Sequence, residues 1–222
     1  KQNFEFLTID LEHSAINISQ TLDMIRIIDN CNKNALVRMP NYNIELIKKV
    51  LDFGAHGLIF PDVRSAEEAR NIISSVYYHP KGTRGMGLFR AQNYGDTLND
   101  YIKWSNKNIS ILLQIEHYKA VEKLEEIIKV DGVDGILVGP YDLSASINDP
   151  GNFNNKKYKL LLKKIIHIAK KNKKTLGFHL VEASDSKIKK IINYGFNFIV
   201  CGVDFKFLMK GIKSIKIIKN GK

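Results

Sequence analysis

The chain predicts an α/β fold, a (β/α)₈ barrel, on three observations. Short apolar runs rich in β-branched residues recur along it, amphipathic helical patterns lie between them, and nearly every run ends in a polar residue. Continuously apolar runs of that length read as strands buried on both faces of a parallel sheet. Strands alternating with helices imply right-handed crossovers. An open doubly wound sheet would gather its polar residues at one switch point. Here Asp10, Arg38, Asp62, Glu116, Asp142 and His179 end different runs or closely follow them, and a barrel would carry all six to one mouth.

The elements follow in order. Phe-Leu-Thr-Ile-Asp at 6–10 is the first strand, and apolar residues three and four apart make 18–30 a helix. A strand at 35–39 precedes a helix at 44–53, which Gly54 should stop. After the strand at 57–61, Ser65 and Glu68 form the signature of a capping box for a helix over 66–76. Strands at 110–116 and 135–140 flank a helix over 120–129. A lysine-rich helix over 156–171 leads to a strand at 175–179. A helix over 185–194, stopped at Gly195, leads to the last strand at 198–202. That is seven strands in a single domain over residues 1–222. The missing first βα unit, roughly 25–30 residues, is expected ahead of residue Lys1.

Composition narrows the class. At 222 residues with 44% apolar, the chain can bury one large core and is not a disordered segment. Its formal charge is +11, but 28 of its 34 basic residues are Lys and only six are Arg. The densest lysines alternate with apolar residues at helical spacing and lack interleaved Arg or aromatics, so they read as a solvated helix face rather than a nucleic-acid footprint. No apolar run reaches about 18 residues, so no membrane span is expected. Cys31 and Cys201 stand far apart, which excludes a cysteine zinc site or disulfide scaffold and suits a cytoplasmic location.

The candidate chemistry sits at the strand ends. Glu116 and Asp142 place two carboxylates at one mouth, fit either to hold Mg²⁺ or Mn²⁺ or to share a proton. Arg38, inside Leu-Val-Arg-Met, needs an anion: a structural carboxylate, or a substrate carboxylate or developing oxyanion. Asp10-Leu-Glu-His13 closes the first strand, with His13 either a loop histidine or an acid/base. Gly82-Thr-Arg-Gly-Met-Gly87 is either a turn or an anion cradle that uses Arg84. No strand end carries a Lys, which argues against Schiff-base catalysis and for a metal.

These stretches together resemble the HpcH/HpaI family of class II pyruvate aldolases. The resemblance runs through Phe6-Leu-Thr-Ile-Asp-Leu-Glu-His13, Leu36-Val-Arg38, Leu51-Asp-Phe-Gly-Ala-His-Gly57 and Ala66-Glu-Glu-Ala69. It continues through Gly82–Gly87, Gln114-Ile-Glu116, Val138-Gly-Pro-Tyr-Asp-Leu-Ser144 and Gly202-Val-Asp204. It implies a divalent ion (Mg²⁺, Mn²⁺ or Co²⁺) on Glu116 and Asp142, with Arg38 on the keto oxygen of pyruvate. It implies His13 as acid/base oriented by Asp52, and Gln114, Gly139 and Ser144 lining the pyruvate site. The implied reaction is cleavage or formation of a 4-hydroxy-2-oxo acid from pyruvate and an aldehyde. A related CoA-ester lyase, or a non-catalytic basic protein on a barrel, are the rival readings. The family's Gly-x-Trp first strand has no counterpart, and Trp104 does not replace it. The stretch Leu88–Gly95 looks more like members from sugar-polymer loci, which leaves the aldehyde open. The resemblance also implies a homo-oligomer, a hexamer built as a trimer of dimers. The apolar stripe Phe207, Leu208, Ile212, Ile215 and Ile218, widened by Met209 and Ile217, must bury its face either on its own barrel or across that interface.

Overall fold

The computed structural model describes residues 4–215. Seven parallel strands lie in sequence order: β1 (Phe6–Asp10), β2 (Asn34–Arg38), β3 (Gly57–Phe60), β4 (Ser110–Ile115), β5 (Gly135–Val138), β6 (Thr175–Leu180) and β7 (Phe198–Cys201). The sheet curls until Phe6 of β1 stacks on Phe198 of β7, ring centroids 4.5 Å apart, so the barrel is nearly closed. The described residues thus supply seven of the eight expected strands.

Helices α1 (Ile18–Asn30), α2 (Ile44–Asp52), α3 (Ala66–Val76) and α4 (Leu98–Asn108) fall in the first half. The second half carries α5 (Tyr118–Glu122), α6 (Leu124–Ile127), α7 (Pro140–Ala145), α8 (Lys156–Lys171), α9 (Asp185–Tyr194) and α10 (Asp204–Ser214). Side-chain caps start most of the long ones: Asn17, Asn43, Ser65, Asn155 and Ser184 each accept a backbone N–H of the first turn. The helix expected over 120–129 is broken into α5 and α6, because Lys123 leaves helical geometry at ψ 7°. The expected capping box at Ser65 is half made: Ser65 Oγ accepts the Glu68 N–H, but the Glu68 carboxylate turns to the Arg64 N–H instead. Gly195 ends α9 at φ 97°, the left-handed stop that glycine takes without penalty.

Alternation along each strand explains the continuous apolar runs. One face packs outward on the helices, through Ile9, Val37, Leu58, Phe60, Leu113, Ile136, Val138 and Phe178. The other points into the barrel, where Ile59, Leu112 and Leu137 meet Phe198 and Val200. Both faces are therefore out of water. Gly177 shares the inner face, and a Cβ there would lie 2.9 Å from Leu137 Cδ1, so a side chain would displace the filling of the barrel.

Parallel strands require each connecting helix to run back down. Helix starts thus lie at the mouth with the strand C-termini, and helix ends lie at the far end. Arg90 knits the far end, donating to Phe53 O and pairing with Asp29 at the end of α1. Trp104 sits there too, edge-on to His56 and stacked on Tyr101, remote from the mouth.

Candidate active site

The mouth is built around an arginine. Arg38, last residue of β2, donates from Nε to Asp10 Oδ1 at 2.9 Å and from Nη2 to Asp10 Oδ2 at 2.6 Å. Its Nη1 pairs with Glu12 Oε2 at 3.2 Å. Asp10 Oδ1 also accepts the N–H groups of Glu12 and His13, which folds the chain after β1 back over the strand end. Burial raises the Asp10 carboxyl, but Arg38 and the two backbone donors outweigh it and hold the group below its ordinary value. Burial lowers Arg38, and its carboxylate neighbours more than restore it. The guanidinium so keeps its charge, with two of its five N–H groups hydrogen-bonded to Asp10 and the other three not, although Nη1 faces Glu12. The anion that the sequence requires for Arg38 is thus in the protein, while Glu116 is near enough to act on it through space.

Glu116 follows β4 and is buried. Its Oε1 accepts the Asp62 N–H at 2.8 Å, and its Oε2 accepts Gln114 Nε2 at 2.5 Å. Burial, against the Gln114 bond and together with the negative charge of Asp142, pushes the Glu116 carboxyl up to about 7. Asp142 stands in the first turn of α7, exposed at the mouth. Gly139 is the hole between them: a Cβ there would sit 2.5 Å from Glu116 Oε2 and 3.4 Å from Gln114 Nε2. Gln114 Oε1 is buried without a partner.

This donor set fits a divalent cation. A desolvated carboxylate whose charge is opposed by a second carboxylate is stabilised by a positive ion, and the donors of Glu116 and Asp142 are oxygens. Among the described residues no three of His, Cys, Asp and Glu gather as ligands, so Glu116 and Asp142 would share the ion with water or substrate, the habit of Mg²⁺.

Two expectations, Asp52 and Arg84, are corrected, and His13 and Ser144 are placed as follows. Asp52 ends α2, at the far end of the barrel, where it accepts Arg84 Nη2 at 2.5 Å and Gln92 Nε2 at 3.0 Å. It therefore does not orient His13 within this chain. His13 lies at the mouth with its side chain 69% exposed and Nε2 3.8 Å from Glu12. Arg84 cannot meet a substrate at the mouth. Its fully buried side chain lies over the rings of Tyr78 and Tyr101, 4.5 and 5.6 Å from their centroids, and the Gly82–Gly87 loop is a far-end turn. Ser144 is buried as well. Its hydroxyl donates to Tyr141 O at 2.7 Å and accepts the Gly151 N–H at 2.8 Å, tying α7 to the following loop.

The structure also adds residues that the sequence left without a role. Asp10 and Glu12 hold Arg38, and the backbone N–H of Asp62, at φ 50°, holds Glu116. Strand-end position was the signal for Asp10 and Asp62; nothing in the spacing named their partners.

Fold and site define a (β/α) barrel with carboxylates and an arginine at its strand C-termini, and among the described residues no strand carries a lysine. The chain belongs to the HpcH/HpaI aldolase/citrate lyase family, whose model matches residues 1–211. It is 32% identical to the 5-keto-4-deoxy-D-glucarate aldolase of Klebsiella pneumoniae over 90% of this chain and 78% of that protein. It is 32% identical to the 2-keto-3-deoxy-L-rhamnonate aldolase of Salmonella gallinarum over 95% of this chain and 79% of that one. The crystal structure of an HpcH/HpaI aldolase from Desulfitobacterium hafniense superposes with a TM-score of 0.88 at 28% identity, covering 99% of this chain and 86% of that chain. The chain is accordingly an aldolase, a carbon–carbon lyase, of a family that generally uses a divalent metal ion.

Proposed function

We propose that this aldolase cleaves, and in reverse forms, a 4-hydroxy-2-oxo acid of the 2-keto-3-deoxy sugar-acid class, giving pyruvate and a hydroxyaldehyde. The observation that carries the reading is the buried Glu116 carboxyl, pushed up to about 7 beside Asp142 around the hole at Gly139. The names of the two relatives support the substrate class. Mg²⁺, Mn²⁺ or Co²⁺ held by Glu116 and Asp142 would supply Lewis acidity at the 2-oxo acid's oxygens.

The chain's own groups do the rest. Arg38, its fork fixed by Asp10 and Glu12, offers its remaining N–H groups to the charge that develops on the C2 oxygen as the C3–C4 bond breaks. Gln114 fixes Glu116 through Nε2 and leaves Oε1 for a donor on the substrate or a water. Gly139 keeps the floor of the site clear. His13, at the rim beside Glu12, takes the proton of the C4 hydroxyl and returns one to C3.

The substrate is a small molecule, without a nucleic-acid or membrane partner, in a cytoplasmic homo-oligomer. Among the described residues no helix is long and apolar enough to cross a membrane. The assembly we propose is a hexamer, a trimer of dimers; association as such is supported by α10, which buries none of its residues and exposes Phe205, Phe207, Leu208, Met209 and Ile212. Ile217 and Ile218 of the expected stripe lie outside the described residues.

The test is pyruvate release from a panel of 2-keto-3-deoxy sugar acids and CoA esters, with chelator and then with added metal. Release from the sugar acids, lost on chelation and restored by Mg²⁺, Mn²⁺ or Co²⁺, is expected. Cleavage of CoA esters alone would overturn the reading.

A further inference from the structure

One polar side chain at the mouth has no part in the chemistry above. His179 lies on β6 one residue beyond the Val138–Phe178 pair, which sets it beside Gly139, and it is paired in register with Val200 of β7. It shares the inner face of β6 with Gly177, whose Cβ position abuts Leu137 and Phe198 inside the barrel. Its imidazole therefore points into the mouth. The charges that reach it are Arg38 on β2, Asp10 on β1 and Asp142 after β5, the groups around the proposed substrate site. Among the described residues, neither ring nitrogen has a hydrogen-bond partner. Part-exposed at the mouth, with one donor and one acceptor free, the ring meets whatever fills the mouth, water or substrate.

Three roles can be weighed. A third metal ligand is disfavoured, because no three such residues gather among the described ones. A general base is disfavoured, because burial and then the Arg38 charge push the ring down to about 4, too weak a base near neutral pH. A charged clamp for a second carboxylate fails for the same reason. What remains is a neutral imidazole that offers an N–H and a lone pair to a hydroxyl.

We propose that His179 is a specificity-determining residue that hydrogen-bonds a hydroxyl on the aldehyde-derived tail of the substrate. The proposal rests on the aldolase reading above, in which Arg38, Glu116 and Asp142 take the pyruvyl half and leave the tail to β6. A site that hydrogen-bonds a hydroxyl discriminates against the analogue lacking it, because the buried polar group is then left unpaired.

The test compares kcat/KM for condensation of pyruvate with lactaldehyde and with propionaldehyde, which differ by that hydroxyl alone. Pyruvate C3 hydrogen–deuterium exchange, followed by NMR on the metal-loaded wild type, reports the pyruvyl half by itself. We expect the wild type to favour lactaldehyde. In His179→Phe the preference should fall at least tenfold, through a loss on lactaldehyde that falls on KM more than on kcat. His179→Gln, which keeps a donor and an acceptor, should recover part of it. Thermal melts confirm that both variants fold, and His179→Leu stands in if His179→Phe does not. An undiminished preference in folded His179→Phe or His179→Leu overturns the proposal. Absence of wild-type exchange instead overturns the aldolase reading beneath it.

Discussion

Arg38 and Asp10, neighbours across the β1–β2 ladder, are joined by two hydrogen bonds of 2.9 and 2.6 Å in a fork-to-fork pair. This pair fixes the guanidinium at the strand end, so that in the proposed function Arg38 serves the fold and the reaction at once.

Arg38→Lys should therefore fail twice. A lysine is a point charge that cannot reproduce the fork, so kcat/KM should drop about 100-fold. Loss of the charged hydrogen bonds to part-buried Asp10 should also cost about 1–3 kcal/mol of stability. Steady-state kinetics and urea unfolding check both. An enzyme with near wild-type kcat/KM would show that Arg38 serves the fold alone.

Glu116 carries a pH signature. Its carboxyl rises from 4.5 to about 7 in the folded protein, so the fold prefers the protonated form. The stabilisation is full below the unfolded value, is lost as pH rises from about 4.5 to 7, and is absent above. In chelator, unfolding free energy should decline across that window by an amount on the order of 3 kcal/mol. Glu116→Gln should flatten this slope, and added divalent ion should reverse it in the wild type only. A wild type without the slope would contradict the buried carboxyl.

Metal binding itself is checked by calorimetry. Glu116→Gln combined with Asp142→Asn should remain folded and show no heat on titration with Mn²⁺, since both carboxylates stand at the mouth and outside the apolar core. A normal isotherm in the double variant would move the metal site elsewhere.

Arg84→Met tests the far end. Removing the guanidinium leaves the Asp52 carboxylate with only Gln92, in a part-buried site. Breaking a buried pair on one side typically costs about 3–5 kcal/mol. For a chain of this length, that predicts a melting temperature lower by about 10 °C. A melt within one or two degrees of wild type would show that the Tyr78–Arg84–Tyr101 stack is dispensable.

The terminal helix carries the last prediction. Leu208→Glu with Ile212→Glu places charges on the exposed apolar face of α10. Light scattering should show a large assembly for the wild type and a smaller folded species for the variant. A monomeric wild type at micromolar concentration would refute the oligomer.

Most of the fold was legible because strands buried on both faces leave short, unbroken apolar runs. Phe6–Asp10 is the strand that the sequence predicts, and Ala66–Val76 the helix. Where local sequence was weaker evidence, boundaries slipped: nothing in the spacing around Lys123 announces the break between α5 and α6.

The site divides along the same line. The sequence by itself determined which residues stand at the ends of strands, and hence that Arg38, Gln114, Glu116 and His179 share the inner face near one mouth, because the period of a strand is two residues. Only the tertiary structure decided who faces whom. Arg38 and Asp10 are 28 residues apart, and their pairing depends on the register of two strands. Asp52 entered as a site residue through the family resemblance and Arg84 through its glycine-rich loop, and loops at the two ends of a barrel carry the same glycines and charges. The direction of α2 and α3 sends both residues to the far end, where the aspartate and the arginine pair with each other and with no group at the mouth.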